Sequence, residues 1–248
     1  MSGHSKWATI KHKKAATDAK RGKVFTKLIK MLTVAARNGG GNPDTNPSLR
    51  LAIDKAKEAN MPQDNIDRAI KKGTGELPGV AYESITYEGY GPGGVAFFVE
   101  VLTDNKNRAT SEVRNIFSKS GGNLAGSGAV SWLFEKKGFF IVNKTNASED
   151  KLMSIILDAG AEDMSDEGDT YEIKCQPADY EKVKKAIDDN KIKLESSEIT
   201  FMPKNTVKVS GDQAKQVLNL VEQLEDNDDV QNVYANFDIP DDVLDKSV

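Results

Sequence analysis

Nine cations fall within 25 residues near the N-terminus: Lys6, Lys11, Lys13, Lys14, Lys20, Arg21, Lys23, Lys27 and Lys30. Asp18 is the only acid before Asp44. A merely soluble basic helix interleaves signs so that i,i+4 pairs support it, and this segment does not. Ammonium groups at that density suit a polyanion, whose phosphates they neutralise with release of condensed counterions. Trp7 adds an indole that can stack on a base or wedge into a groove, and His12 offers a phosphate or solvent contact. Roughly six such cations on duplex DNA would give a log–log salt slope of about −5. Few base-reading side chains lie among the lysines, and the chain shows no helix-turn-helix or RRM signature, so the binding is expected to be mostly independent of sequence. The candidate contacts are Lys6, Trp7, Lys11, His12, Lys13, Lys14, Lys20, Arg21, Lys23, Lys27, Lys30 and Arg37.

Other chemistries are matched less well. Gly89-Tyr90-Gly91-Pro92-Gly93-Gly94 satisfies G-x-G-x-x-G, yet it leads into the strand-like run 95–99 rather than into a helix N-terminus, so it reads as a hairpin turn. The glycine-rich stretch 121–128 lacks the Lys-Ser/Thr of a phosphate loop and reads as a mobile surface segment. His4 and His12 have no third ligand nearby, and Cys175 is the single cysteine, so no metal, cofactor or disulfide framework is expected and a reducing cytoplasmic setting follows. No nucleophile elbow or triad is visible, which points away from an enzyme. The run 104–108 has the residue types of a helix cap. Asp104, Asn105 and Arg108 remain the candidate contacts if an interdomain cleft binds a small molecule. The acidic run 225–229 lacks EF-hand spacing and reads as a solvated helix end.

At roughly 150 residues per domain, 248 residues suggest two or three modest domains. The overall charge of −4 conceals a division: residues 1–72 hold 16 Lys/Arg against 6 Asp/Glu, net +10, and residues 73–248 hold 18 against 32, net −14. Such asymmetry suggests a nucleic-acid or anionic-surface module joined to an acidic body whose far side is open to a protein partner. The positive part begins as an arm, residues 1–20. From Lys23 onward, Val24, Phe25, Leu28, Met31, Leu32 and Ala35 share one helical face, and Lys20, Lys23, Lys27, Lys30 and Arg37 share the other. Gly39-Gly40-Gly41 ends that helix. A second helix starts near Ser48, and a third, with Asp64 as N-cap, closes at Gly73. The apolar face has an obvious use in packing this bundle, which argues against membrane binding, and no run approaches the ~18 apolar residues of a spanning helix.

Beyond the linker 73–79 the period drops to two. Strands at 82–90 and 95–102 form a hairpin, followed by a helix at 108–120. Strands at 130–134 and 139–142 are joined by a turn at Glu135-Lys136-Lys137-Gly138. Then come helix 149–159, strand 170–176, helix 178–189 and strand 193–201, which together suggest a split βαβ unit. Helix 211–225 and strand 230–237 return to complete the hairpin-and-helix set. The expected fold is α plus α+β: a three-helix domain with a basic arm (1–78), then two ferredoxin-like α/β domains, the third (134–202) inserted into the second (79–133 plus 203–240).

Several of these segments closely resemble the YebC family. They include Gly3-His4-Ser5-Lys6-Trp7, Ile10-Lys11-His12-Lys13-Lys14-Ala15-Ala16, Asp18-Ala19-Lys20-Arg21-Gly22-Lys23, Leu51-Ala52-Ile53-Asp54-Lys55-Ala56, Ile70-Lys71-Lys72-Gly73-Thr74-Gly75, Tyr87-Glu88-Gly89-Tyr90-Gly91-Pro92-Gly93-Gly94, Thr103-Asp104-Asn105 and Phe134-Glu135-Lys136-Lys137-Gly138. The resemblance is strong to about residue 140 and rests on order and length beyond it. It implies three domains around a central cleft and no enzymatic activity. Family members are described as probable transcriptional regulators that bind DNA, mitochondrial relatives as translational activators, and some bacterial relatives as acting at the ribosome when proline runs slow peptide-bond formation. Thr9 stands where the family has Asn, and Ala109 where it tends to Thr. The resemblance leaves DNA and ribosomal RNA open as partner.

Overall fold

The structure, a computed structural model, describes residues 18–240, with side chains from residue 22 onward. Helix α1 (Asp18–Gly39) packs on α2 (Pro47–Glu58) and α3 (Gln63–Thr74), which it crosses through Leu28, Leu32, Ala35 and Ala36. Gly40 adopts φ +84°, the left-handed conformation that ends α1. Asn46 then organises the corner: its Oδ1 accepts from the Leu49 amide (3.1 Å), capping α2, while its Nδ2 donates to the carbonyls of Ala35 (2.9 Å) and Gly40 (2.8 Å). At α3 the expected Asp64 cap is replaced by Pro62, whose fixed φ starts the first turn, and Asp64 lies inside that turn, where the helix dipole favours an acid. Gly73 lies within α3 rather than closing it. A Cβ there would collide with the Thr33 carbonyl of α1, so glycine permits the two helices to approach, and Gly75 (φ +85°) is the terminator.

The first sheet pairs β1 (Glu83–Tyr90), β2 (Ala96–Thr103), β3 (Asn123–Leu124) and β9 (Val230–Ala235) in the order β3-β1-β2-β9, antiparallel throughout. The turn between β1 and β2 is Pro92–Gly94 with Gly93 at φ +71°, as the hairpin reading required. Helices α4 (Lys106–Lys119) and α7 (Gly211–Asp226) cover one face, where Phe97, Val99 and Val101 meet Val113, Phe117, Val217, Leu220 and Leu224. Ala109, the family departure, is fully buried in this core. Its helix leaves no solvent contact that a threonine hydroxyl could use.

The second sheet is built by residues 134–203: β4 (Phe134–Asn143), α5 (Glu149–Asp158), β5 (Ala161–Glu167), β6 (Thr170–Cys175), α6 (Tyr180–Asp189) and β7 (Leu194–Pro203), in the order β5-β6-β4-β7. That is the split βαβ arrangement. The first sheet carries two helices likewise, but its central pair is the sequential hairpin β1–β2, so its strand order differs from the inserted one. The expected turn at 135–138 is instead continuous strand, since β4 pairs with β7 from Phe134↔Pro203 to Gly138↔Ile199 and onward. Gly138 is required by proximity: a Cβ would lie 2.5 Å from Cys175 Sγ and 3.1 Å from the Tyr180 ring. Two further short strands, β8 (Val207–Lys208) and β10 (Phe237–Asp238), pair in parallel near the return to the first sheet.

The sheets meet through an aromatic cluster. Phe98 and Tyr234 project from the face opposite α4 and α7, and Phe134 and Phe201 come from the inserted sheet, with ring centroids 5.0–6.1 Å apart. Both faces of β2 are therefore buried, which accounts for its unbroken apolar run. The helical domain touches both sheets' units. Leu51 of α2 packs against the inserted core, flanked by Lys55–Glu198 (3.6 Å) and Lys184–Asp54 (4.0 Å).

Candidate nucleic-acid interface

Lys6, Trp7, Lys11, His12, Lys13 and Lys14 lie outside the described residues. Lys20 and Arg21 fall in the first turn of α1, with side chains likewise outside the description. The remaining candidates are placed, and each is engaged within the molecule. Lys23 Nζ donates to the Asp226 carbonyl (3.1 Å) and lies 3.4 Å from its carboxylate. Lys27 Nζ donates to the Glu225 carbonyl at 2.6 Å. Lys30 is only 7% exposed; its Nζ donates to Asp229 Oδ1 (2.6 Å) and to the carbonyls of Asp228 (2.9 Å) and Leu102 (3.4 Å). The Arg37 guanidinium donates to the carbonyls of Val80 (3.0 Å) and Tyr82 (3.3 Å), fastening the linker to α1.

The spacing 23, 27, 30 puts three ammonium groups on one ridge of α1, and that ridge meets the C-terminal end of α7. Unsatisfied carbonyls and the negative end of the helix dipole concentrate there, so lysines are the complementary side chains. The acidic run 225–229 is thus an interdomain docking point and not the solvated end that its composition suggested. No local signal in the sequence links residues two hundred apart; only the matching of an acid-free basic ridge to an unusually acidic helix end could have prompted the pairing.

Asp229 is the centre of the seam. Its carboxylate accepts from Lys30 (2.6 Å), Arg108 (2.8 Å) and Thr103 (2.9 Å). Burial works against its charge, but the hydrogen bonds from Arg108, Lys30 and Thr103 outweigh that and hold the carboxyl below the ordinary carboxylate range. Arg108 is held further above its ordinary value by hydrogen bonds to Asp229 and then Asp104, the latter at 2.6 Å. Asn105 Oδ1 accepts from the Arg108 amide at 3.1 Å and caps α4. Asp104, Asn105 and Arg108 are therefore brought together, as a structural knot and helix cap.

The glycine-rich segment expected to be mobile is instead pinned. Glu88, 4% exposed, accepts from the amides of Gly128 (2.8 Å), Val130 (2.7 Å) and Ser131 (2.8 Å). Its burial opposes ionisation, and these donors prevail, lowering its pKa. A groove of about 690 Å³ opens between α2 and α3, with Arg50, Lys57 and Lys71 beside Asp44, Asp54 and Asp67. Lys57 and Lys71 of this lining, and Arg68 of α3, are exposed. Cys175 is buried, and burial, followed by the nearby charges of Asp179 and Glu162, pushes its thiol up to about 11. It stays a neutral packing group at neutral pH. No helix among the described residues is long and apolar enough to cross a membrane, and no group of three or more His, Cys, Asp or Glu among them could hold a metal ion.

Two family profiles together cover most of this architecture. The TACO1/YebC protein N-terminal domain matches residues 5–76, and the TACO1/YebC second and third domain matches residues 82–237. The chain belongs to the TACO1/YebC family. Similar TACO1/YebC relatives include a protein of Desulfatibacillum aliphaticivorans, 60% identical over 244 residues that span 98% of this chain and 99% of the relative. Another, from Syntrophobacter fumaroxidans, is 59% identical, covering 99% of both chains. Both carry the name "probable transcriptional regulatory protein". The crystal structure of a conserved hypothetical protein from Aquifex aeolicus has the same fold, with a TM-score of 0.82 and 48% identity over 92% of this chain and 94% of that one.

Proposed function

We propose that the protein is a nucleic-acid-binding, non-enzymatic regulator of gene expression acting in the cytoplasm. In this reading the arm cations Lys6, Lys11, Lys13 and Lys14, with Trp7 and His12, grip the phosphate backbone and continue into Lys20 and Arg21. The observation that carries it is the division of the basic charge. The cations from Lys23 to Lys30 have carbonyl and carboxylate partners within the molecule, whereas the segment before them contains no acid but Asp18. The relatives' name as regulatory proteins agrees with this reading. The acidic body would repel phosphates and turn the arm towards them. The test is binding of duplex DNA and of a structured RNA by the full chain with Lys11, Lys13 and Lys14 changed to Ala. The reading expects both affinities to fall, by about tenfold or more at moderate salt, and unchanged affinity would refute it.

The scarcity of base-reading side chains among the arm lysines favours a second partner of the same chemistry. A group that reads phosphates without sequence suits ribosomal RNA as well as DNA. Co-sedimentation with ribosomes at physiological salt separates the two, since a DNA-directed regulator stays in the supernatant.

A further inference from the structure

Trp132 is one of two tryptophans in the chain, and it is 63% exposed while its neighbours Val130 and Leu133 are buried. Leaving an indole in water forgoes a large burial gain, and here the exposure is not the result of a loose loop. Glu88 clamps the preceding amides, Tyr90 Oη donates to the Ala129 carbonyl (3.2 Å), and Trp132 Nε1 donates to the same carbonyl at 3.1 Å. The ring is held in place with its only donor already satisfied. What it offers a partner is its π-face.

Two exposed lysines flank the indole in the chain and the sheet, and the exposed carboxylate of Glu135, between Trp132 and Lys136 in sequence, is paired with Lys137 at 3.0 Å. Lys204 donates its amide to the Leu133 carbonyl (2.8 Å), which places it beside the residue following Trp132. Lys136 follows four positions on, in β4, with its Nζ 5.8 Å from the Phe201 ring centroid. Both lysines are exposed, and neither has an ion pair among the described residues. They stand out in a part of the chain whose net charge is −14. Among the described residues the other exposed large apolar side chains, Leu77, Val80 and Leu157, belong to the linker and to α5, so none of them joins the indole in an apolar patch of the kind a protein-binding hot spot presents.

We propose that Trp132, with Lys136 and Lys204, forms a second nucleic-acid contact: a stacking platform for an unpaired base, whose flanking phosphates meet the two lysines. Bases within a duplex are already stacked, so the site takes single strands or loops. It uses no residue of the basic arm and stands or falls separately from it.

The test uses the full chain carrying Trp7→Phe, so that Trp132 is the sole tryptophan. Its fluorescence is followed on titration with a single-stranded oligouridylate, an abasic oligomer of equal length and a duplex. Saturable quenching by the oligouridylate alone is expected. Trp132→Ala in the otherwise native chain should weaken single-strand binding roughly 5- to 100-fold, with duplex binding unchanged and Trp132→Phe close to native. Quenching that persists when Lys11, Lys13 and Lys14 are Ala shows that this site does not depend on the arm. Absence of quenching overturns the proposal, as does native single-strand affinity in Trp132→Ala. Loss of self-association in Trp132→Ala, with nucleic-acid binding intact, also overturns it and assigns the indole to a protein contact.

Discussion

Two lysines two turns apart on the same helix have different weights. Lys30 is buried against Asp229 at 2.6 Å, whereas Lys23 and Asp226 are about half exposed and 3.4 Å apart. Removing one member of a buried pair strands the other charge, at a cost of about 3 kcal/mol or more, while an exposed pair contributes about 0–1 kcal/mol. Urea unfolding should therefore show Lys30→Met destabilised by roughly 2–4 kcal/mol, softened by the remaining Arg108 hydrogen bond, and Lys23→Met by less than about 1 kcal/mol. The pH dependence follows from the direction of the Asp229 shift. Its folded-state pKa is lowered, so the stability it contributes is fully present above the unfolded value near ~3.9 and is lost as pH falls through the lower folded value. Acid unfolding of Asp229→Asn should lack that component, and the stability difference between native and variant should shrink below about pH 4.

At the scale of elements, close approach and pinning explain features that composition alone misread. Gly138 has no room for a side chain, so Gly138→Ala should cost about 1–3 kcal/mol, and Cys175→Ala should recover part of it by withdrawing the sulfur 2.5 Å from the added methyl. Glu88→Gln replaces an ionised acceptor with one that also carries donors. Amide exchange at Gly128, Val130 and Ser131 should accelerate while that of the β2 amides is unchanged. The helices of the first domain were legible because their apolar residues recur at 3.6 and the glycine run 39–41 marks the end of the first. Strand β5 was not, because Ala161–Glu167 is an acidic edge strand whose charges guard it against mispairing and erase the alternation that identifies a strand. The Glu135–Gly138 run mimicked a turn for the opposite reason: its glycine serves packing across the sheet. The site was legible in its chemistry but not in its use, since the periodicity that revealed the ridge of Lys23, Lys27 and Lys30 carries no information about α7.

Across the whole molecule, the division between a basic N-terminal part and an acidic body becomes an interface as well as a contrast. Part of the positive charge holds the helical domain to the end of α7, and the part before it, in the arm, is proposed to meet nucleic acid. The central claim is that these two sets of lysines do different work. The most direct measurement is the salt dependence of duplex DNA affinity for the native chain, for the arm variant Lys11→Ala/Lys13→Ala/Lys14→Ala, and for the ridge variant Lys23→Ala/Lys27→Ala. The prediction is that the arm variant's log–log slope becomes shallower by about 2–3, close to 0.9 for each phosphate no longer neutralised, while the ridge variant keeps the native slope. A ridge variant that flattens the slope as much as the arm variant, or an arm variant that leaves it unchanged, would contradict the account.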